Sequence, residues 1–329
     1  MGILKGGNIV PQVSIIVATY NPDPIKLRKT LEAAVVQQGV DVEIIISDDG
    51  SSQKDFTFIP EFFSVHGFTQ YQILEHPENR GTVYNCYAGV CAANGEYIFT
   101  TSPGDFLFDE TTMQQFYKFA EQRQAQLCFG NAVRYAVVDG TVIRTSPYSI
   151  PATPDAYGAE SSLYRQKMSF FGDNLISGAC YFRSRSFAKK YLGQLLGVAK
   201  YMEDTPSTMS ALLDGIRINY FDRNIIFYED GTGISTGGND KWRVLLHQDL
   251  VNVLEELRKH HSKNPYLKIS WKNATETSRW KRIAYRFIAH PILSVSMLIE
   301  RKLRKPRKIY CSDDDWSRLS RLVLENSDN

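Results

Sequence analysis

Short runs of β-branched residues alternate with segments of helical pattern from Val13 to Thr101. The four strand-like runs read VSIIVA, VEIIIS, YQILEH and EYIFTT, and helices are predicted between them at about 24–38 and 82–94. This alternation is typical of an α/β fold with a mostly parallel sheet and helices on both faces. Ligands bind such sheets at the carboxyl ends of the strands, so the loops after these four strands are the predicted site.

A hairpin and a long irregular segment follow. A helix is predicted at about 109–124, and the strands LCFGNAVRYAVV and TVIRTS flank the turn Asp139-Gly140. Residues 147–177 are rich in Pro, Tyr, Ser and Gly and have little periodicity. A segment of this kind inside a compact domain is typical of a functional loop or lid.

The chain changes in character near Gly238. Before this point the run ACYFRS predicts a strand, and a strand pair is predicted to end at Tyr228. After it the pattern is almost wholly helical. We therefore predict a first domain over residues 1–238 and a helical C-terminal region over residues 239–329.

Charge and cysteine content narrow the function classes. The 329 residues carry a formal net charge of only +2, which does not give the positive field that gathers nucleic acid. The five cysteines lie without paired spacing, which favours a reducing compartment over a disulfide framework or a zinc site. The N-terminal sequence MGILKGGNIVPQ lacks an apolar signal core, and no later stretch reaches the length of a spanning helix, so we expect a cytoplasmic protein.

Polar loops follow the first two strands. Thr19, Tyr20 and Asn21 provide a hydroxyl, an aromatic face and an amide, which are groups that a nucleobase needs. Asn21 also fits as the cap of the helix that begins after Pro22. In the second loop, an aspartate at Asp48 or Asp49 can accept from a pyrimidine N–H while its neighbour binds a ribose hydroxyl. Asp, Gly and Ser are also ordinary turn residues, so a plain turn is the alternative for this loop.

Taken in order, these motifs carry a family resemblance. The runs VSIIVATYNP, EIIISDDGSS, NRG and GEYI resemble a family 2 glycosyltransferase with the GT-A fold, over about residues 11–236. The resemblance implies a Rossmann-like, mostly parallel central sheet with helices on both faces. It further implies a nucleotide pocket, in which Arg80 lies near the base or the diphosphate. The residues that line this pocket are Thr19, Tyr20, Asn21, Asp48 and Asp49.

The resemblance also implies a metal site after the strand EYIFTT. The family has a cluster of aspartates there, whereas this chain reads Thr101-Ser102-Pro103-Gly104-Asp105 and lacks the first carboxylate. Asp105 matches the last aspartate of the cluster and is the implied ligand of Mn²⁺ or Mg²⁺, with Ser102 in the nucleotide site. The ion would offset charge on the departing nucleoside diphosphate. Pro103-Gly104-Asp105 also fits a plain tight turn.

A glutamate-aspartate pair matches the acceptor side of the family's pocket. Asp204 is the implied catalytic base, because inverting transfer needs a carboxylate that takes the proton from the acceptor hydroxyl. Glu203 lies beside it, so we expect the two carboxylates to titrate as a coupled pair. Asp204 or Thr205 also fits as the cap of a helix that starts at Pro206.

Two segments of small residues agree with the resemblance. Ser177-Gly178-Ala179 resembles the family's acceptor-site segment, and Gly233-Ile234-Ser235-Thr236 resembles the segment after the last core strand. Small residues also permit close packing, which is the alternative explanation for both.

The C-terminal region is basic and amphipathic. Residues 278–308 hold ten Lys and Arg against the single acid Glu300, interleaved with aliphatic and aromatic residues. This pattern is typical of helices that lie on an anionic leaflet. A helical unit packed on the core with a solvated basic rim fits nearly as well, and an oligomer contact is a third alternative.

The motifs and the resemblance together predict an inverting glycosyltransferase. It would move one sugar from a UDP- or dTDP-linked donor to a hydroxyl of a lipid-linked or oligosaccharide acceptor, in surface polysaccharide biosynthesis at the inner face of the cell membrane. A nucleotidyltransferase is the alternative enzyme class, although the loop ATYNPDP lacks a phosphate-binding glycine pattern. A degenerate partner subunit that binds a nucleotide or glycan is the non-enzymatic alternative, supported by the missing first aspartate and opposed by the intact Glu203-Asp204 pair.

Overall fold

The structure is a computed structural model that describes residues 10–234, 237–238 and 240–325. Within these ranges nine strands are present: β1 (Val13–Thr19), β2 (Val42–Asp48), β3 (Tyr71–Glu75), β4 (Tyr97–Thr101), β5 (Phe106–Leu107), β6 (Leu127–Val138), β7 (Thr141–Ser146), β8 (Tyr181–Ser184) and β9 (Ile218–Glu229). The same ranges contain twelve α-helices: α1 (Pro24–Val35), α2 (Ile59–Val65), α3 (Thr82–Ala92), α4 (Thr112–Gln122), α5 (Leu163–Phe170), α6 (Arg185–Gly193), α7 (Asp204–Leu213), α8 (Asp240–His260), α9 (Pro265–Thr275), α10 (Arg279–Ala289), α11 (Pro291–Leu303) and α12 (Asp313–Leu324).

The strands join in one sheet. Its order is β3-β2-β1-β4-β8-β6-β9-β5, and β7 pairs with β6. β1 to β4 run parallel, and β6 runs parallel to β9, whereas β8 is antiparallel to both β4 and β6. Most paired positions are therefore parallel, which confirms the predicted mostly parallel sheet, and β8 joins its two parallel groups.

The central strands are buried on both faces. Ile15 and Val17 of β1 lie in one apolar cluster with Leu27 of α1, whereas Ile16 lies in a second cluster with Val83 of α3. Successive side chains of a strand point to opposite faces, so a single strand supplies both clusters. Burial of each such side chain stabilises the fold by about 1.5–3 kcal/mol. The loops at the strand ends are therefore attached to a stable sheet.

Two segments differ from the prediction. A single strand, β9, replaces the predicted strand pair, because its pairing with β6 continues across a register shift near Asn131. Residues 147–177 contain α5 and a short 3-10 helix, Pro154–Tyr157, instead of an irregular loop. Tyr157 is fully buried, and its hydroxyl donates to the carbonyl oxygen of Asn174 at 2.6 Å. Aromatic burial therefore orders this segment without a periodic pattern.

Some features lie beyond the sequence prediction or beyond the described residues. α2 is a helix that the sequence analysis did not assign. Ser235 and Thr236, from the segment that begins at Gly233, lie outside the described residues, as does most of MGILKGGNIVPQ.

The C-terminal helices pack on the rest of the chain to different extents. Leu254 of α8 and Leu319 of α12 are fully buried in apolar clusters with residues of the sheet. α11 buries Met297 and two neighbours, whereas none of the α10 residues, all of which are described, is buried. The region is helical where it is described. Its division at residue 238 into a separate domain stays a prediction.

Candidate active site

Asp48 connects the ends of β1 and β2. Its buried side chain accepts hydrogen bonds from Thr19 Oγ1 at 3.0 Å, from the Ser51 amide and hydroxyl, and from Lys54 Nζ at 2.9 Å. Burial opposes ionisation of Asp48, but hydrogen bonds from Ser51 and Lys54 outweigh it and lower the pKa of this carboxyl. Thr19 and Asp48 thus hold the two loops together.

Asn21 also ties the first loop to the second. Its backbone N–H donates to Ser51 Oγ at 2.6 Å, and its Oδ1 accepts from the Gln53 N–H at 2.9 Å. Asp23 caps α1 instead, because its carboxylate accepts from the first two N–H groups of that helix at 2.9 and 3.2 Å. The capping alternative for Asn21 is therefore wrong. Tyr20 beside it is 55% exposed, as a stacking surface for a base requires.

Asp49 holds the loop before α3. Its two oxygens accept from the N–H groups of Arg80 and Gly81, each at 2.8 Å. Gly81 has a φ of 94°, which favours glycine, and occupies the cap position of α3. The exposed Arg80 guanidinium lies 3.6 Å from the centre of the Tyr84 ring. Asp49 therefore places Arg80 and the N-terminus of α3 beside the first two loops.

Asp105 lies in a tight turn after β4. Gly104 has a φ of 99°, and the Asp105 N–H donates to the carbonyl oxygen of the exposed Ser102 at 3.0 Å, so the turn alternative is present. The Asp105 side chain is buried, and its Oδ1 accepts from the Glu229 N–H at 3.0 Å. Burial raises the pKa of Asp105 to about 8, and the negative charge of Glu229 adds to this.

Glu229 is a second carboxylate at this turn, which the sequence analysis missed. It binds Lys26 Nζ at 2.6 Å and lies so close to Gly104 that a Cβ there would be 2.3 Å from Glu229 Oε2. Glu229 and Asp105 are 124 positions apart, so no local pattern links them. Two oxygen donors fit a divalent ion that also takes waters and substrate phosphates as ligands. The described residues contain no group of three or more side chains that could together ligate a metal ion. A bound ion would therefore need the substrate phosphates as further ligands.

Asp204 opens α7 beside a glycine. The helix begins at Asp204 and Glu203 occupies the cap position, so the alternative of a cap at Asp204 or Thr205 is wrong. Asp204 Oδ2 accepts from the Gly178 N–H at 3.1 Å. A Cβ at Gly178 would lie 2.9 Å from Glu203 Oε1 and 3.1 Å from Asp204 Oδ2. Gly178 is therefore needed for close packing, and it packs against the carboxylate pair.

Glu203 faces a buried arginine. Arg183 of β8 is 2% exposed, and its Nη2 lies 3.9 Å from Glu203 Oε1. The Nε and Nη2 groups of Arg183 have no hydrogen-bond partner among the described residues. Burial raises the pKa of Glu203 to about 7, the charge of Asp204 adds to this, and Arg183 opposes it. The charge of Asp204 therefore affects the protonation of Glu203, as expected for a coupled pair.

The loop that Asp49 holds and the segment before Glu203 touch through their backbones. The Val83 N–H at the start of α3 donates to the carbonyl oxygen of Lys200 at 3.1 Å. Burial raises the pKa of the Cys86 thiol on this helix, and the charges of Glu203, Asp49 and Asp204 add to the rise. The second loop and the start of α7 therefore both lie near the N-terminus of α3.

The short helical turn Gly178–Cys180 contacts the candidate base, because Asp204 Oδ2 accepts from the N–H at its first residue at 3.1 Å. At its last residue, burial raises the pKa of the Cys180 thiol to about 12, and the charge of Asp105 contributes.

Comparison with solved structures assigns the fold to the GT-A glycosyltransferases. Residues 1–349 of S. aureus TarS align with a TM-score of 0.54 at 14% identity, covering 88% of this chain and 82% of that one. The mannosyltransferase PcManGT from Pyrobaculum calidifontis aligns with a TM-score of 0.55 at 15% identity, covering 95% and 79%. The chain spans 44% of the longer TarS structure. Identities this low show the fold alone.

The sequence defines the family. The model of Glycosyl transferase family 2 matches residues 14–192, more than half of the chain, and the chain therefore belongs to this family. The resemblance seen in the motifs is confirmed, and the protein is a glycosyltransferase. Comparison with curated protein sequences finds no match. The matched residues end before Glu203 and Asp204.

We expect Asp105→Asn to stabilise the protein at alkaline pH in metal-free buffer. The folded-state pKa of Asp105 is raised from 3.8 to about 8, so the wild type loses stability as the pH rises through this window, whereas an amide cannot ionise. Urea unfolding should show the variant more stable by about 2–5 kcal/mol at about pH 9, and equal to wild type at about pH 4.

The exposed Asp139, at the turn between β6 and β7, provides a matched control. The free energy of unfolding of Asp139→Asn should equal that of the wild type at about pH 4 and at about pH 9. If the free energy of unfolding of Asp105→Asn also equals that of the wild type at about pH 9, the raised pKa of Asp105 is contradicted.

Proposed function

We propose that this glycosyltransferase inverts the anomeric centre and transfers one sugar from a UDP- or dTDP-linked donor to an acceptor hydroxyl. The acceptor would be a lipid-linked or oligosaccharide glycan in surface polysaccharide biosynthesis. The observation that carries the proposal is the position of Asp204. Its carboxylate lies at the start of α7 and binds the Gly178 N–H at 3.1 Å. The segment just before it touches the loop that Asp49 holds, through the bond from the Val83 N–H to the Lys200 carbonyl oxygen.

Asp204 would act as the catalytic base. The N-terminus of α7 and the Gly178 N–H both stabilise negative charge on this side chain. A carboxylate fixed in this way can take the proton from an acceptor hydroxyl as its oxygen attacks the anomeric carbon opposite the leaving group. Glu203 has a pKa raised to about 7, so near neutral pH it can hold a proton and limit repulsion within the pair.

The donor would bind across the loops after β1, β2 and β3. Solved complexes of related folds contain nucleotide sugars, UDP-GlcNAc in TarS 1–349 (TM-score 0.52, 14% identity, 89% of this chain, 91% of that one) and GDP-Man in PcManGT, which supports this class of donor. Tyr20 offers an exposed ring for the base, and Arg80 an exposed cation for the diphosphate. Ser102 is exposed at the neighbouring strand end.

Asp105, with Glu229 beside it, would hold the Mn²⁺ or Mg²⁺ ion. PcManGT is solved with Mn²⁺, which supports divalent-ion use in this fold. When bound, the ion would offset negative charge on the departing nucleoside diphosphate. A cation next to Asp105 would also oppose the burial effect that raises the pKa of this carboxyl to about 8.

We expect Mn²⁺ to increase the thermal stabilisation that a nucleoside diphosphate gives to the wild type. A ligand that binds the folded state raises Tm by mass action, and the ion would link Asp105 to the phosphates. A screen of UDP, dTDP and GDP with and without Mn²⁺ measures this. Asp105→Asn should keep the metal-independent shift and lose the Mn²⁺-dependent part, with Asp139→Asn as the control. An equal Mn²⁺-dependent shift in Asp105→Asn would remove this residue from the metal role.

Asp204→Asn should leave donor binding largely intact while turnover falls by roughly 10²–10⁴-fold, since a base acts mainly in the transition state. Calorimetry measures binding, and release of nucleoside diphosphate in the presence of acceptor measures turnover. Asp214→Asn, at the other end of α7, is the matched control and should transfer as the wild type does. Wild-type turnover in Asp204→Asn would refute the assignment of the base.

We further propose that the protein acts at the cytoplasmic face of a membrane, to which α10 and α11 bind peripherally. No single described helix is long and apolar enough to cross a bilayer; α10 and α11 pass that test only as a pair, with a bend of 120° between them. Trp280, Ile288 and Ile292 are 78–84% exposed on this pair. Exposed basic side chains accompany them: Arg279, Lys281, Arg301, Lys302, Lys305 and Lys308.

The alternative of packing on the core accounts for part of this region. Arg304 pairs with Glu300 at 2.7 Å, and Arg307 pairs with Asp155 at 2.7 Å and with Asp222. These arginines are engaged within the protein, so the surface left for an anionic leaflet is smaller than the sequence pattern suggested. An apolar face bordered by cations still fits a lipid surface.

The triple substitution Trp280→Ser, Ile288→Ser and Ile292→Ser should release the protein from vesicles of phosphatidylglycerol and phosphatidylcholine. These three side chains are exposed, so their loss should leave Tm close to the wild-type value. Co-sedimentation measures the binding. Val65→Ser, at an apolar residue of α2 that is 78% exposed, is the control and should bind as the wild type does. Unchanged co-sedimentation of the triple variant would contradict membrane contact through this face.

A further inference from the structure

A buried aspartate of the C-terminal region binds three successive backbone N–H groups of the segment before α7. Asp249 of α8 is 7% exposed. Its Oδ2 accepts from the N–H groups of Lys200, Tyr201 and Met202 at 3.1, 2.6 and 3.1 Å. Successive N–H groups that converge on one anion form a nest, which fixes the backbone conformation. The segment 200–202 is thus shaped around the Asp249 carboxylate.

Two more residues of α8 hold the same stretch of chain. The Trp242 ring meets the Tyr201 ring edge-on, with 5.0 Å between their centres. Asn252 Nδ2 donates to the carbonyl oxygen of Val198 at 3.3 Å. α8 therefore contacts the irregular stretch between α6 and α7 along about three of its own turns.

The opposite side of segment 200–202 contacts the loop before α3. The Lys200 carbonyl oxygen accepts from the Val83 N–H at 3.1 Å. A Cβ at Gly81 would lie 2.5 Å from that same oxygen, so the two backbones touch. The Gly81 N–H is one of the two that Asp49 binds. Segment 200–202 is therefore held between α8 and a loop of the proposed donor site.

We propose that Asp249, from outside the loops of the candidate site, is a positioning residue for sugar transfer. Glu203 and Asp204 follow directly after Met202, so the anchor of residues 200–202 sets where the two carboxylates lie relative to the donor loops. Displacement of a reacting group by about 1 Å can cost about a hundredfold in rate, so an anchor of this kind acts on the chemical step. The proposal rests on the proposed function, since it assigns Asp249 to the same reaction.

Asp249→Asn tests the role of the charge. The amide keeps the size and one acceptor oxygen, but hydrogen bonds to an ionised acceptor are roughly twice as strong. We expect kcat to fall at least about tenfold, with donor Kd within about twofold of wild type, because Asp249 does not itself lie in the donor loops. Asp249→Ala, which removes the acceptor, should give a larger loss of kcat with the same pattern.

Two variants on the same helix separate positioning from stability. Asn252→Ala removes the bond to Val198 but leaves segment 200–202 bound, so it should lose Tm and keep kcat when assayed well below its Tm. Asp240→Asn alters a side chain that is 83% exposed and should match the wild type in both measurements. Equal losses of kcat in Asn252→Ala and Asp249→Asn would overturn the proposal.

Amide hydrogen exchange tests the anchor without any assay of transfer. In Asp249→Asn the amides of residues 200–204 should exchange faster than in the wild type, whereas those of β1 and β2 should not change. Unchanged exchange at residues 200–204, or faster exchange with an unchanged kcat, would overturn the proposal. Faster exchange in the variant, together with a wild type that transfers no sugar from any nucleotide donor, would refute the proposed function and leave the anchor established.

Discussion

Buried carboxylates that accept hydrogen bonds from loop backbone hold the candidate site in shape. Loop N–H groups lack the partners that a helix or sheet provides, and an ionised acceptor binds them more strongly than a neutral one. Asp49 does this for the loop before α3, and Asp249 does it for residues 200–202. The two loops also touch, because the Val83 N–H donates to the Lys200 carbonyl oxygen at 3.1 Å. Loss of either charge would therefore loosen the segment that it binds directly.

Carboxylates lie in pairs at both ends of the candidate site. Within the part of the chain that the structure describes, Lys26 pairs with Glu229 beside Asp105, and Arg183 lies 3.9 Å from Glu203 beside Asp204. Burial raises the pKa of Asp105 to about 8 and that of Glu203 to about 7, so near neutral pH each end can hold a proton or respond to a bound cation. The proposed transfer needs both properties, a cation near the leaving diphosphate and a base near the attacking hydroxyl.

The strands and the loops that follow them could be predicted because their signals are local. β1 and β2 are mostly apolar runs that end in polar residues, and parallel pairing brings those ends together. Contacts between distant residues could not be predicted in this way. Glu229 meets Asp105 across 124 positions, and Asp249 anchors a segment 47 to 49 positions upstream. Asn21 and Asp23 are both good cap residues; Asp23 directly precedes α1, whereas Asn21 has a backbone φ of 45° and binds the second loop.

The C-terminal helices link the candidate site to the exposed apolar face. α8 holds the segment before Glu203 and Asp204, α9 packs on α8, α10 packs on α9, and α11 packs on α10. This series of contacts sets the position of the α10–α11 face relative to the carboxylate pair. If that face lies on a membrane, as proposed, the pair is held at a defined height above the lipid surface. An acceptor anchored in the same surface would benefit from this arrangement, whereas a freely diffusing oligosaccharide would not. Membrane contact therefore favours the lipid-linked acceptor over the soluble one.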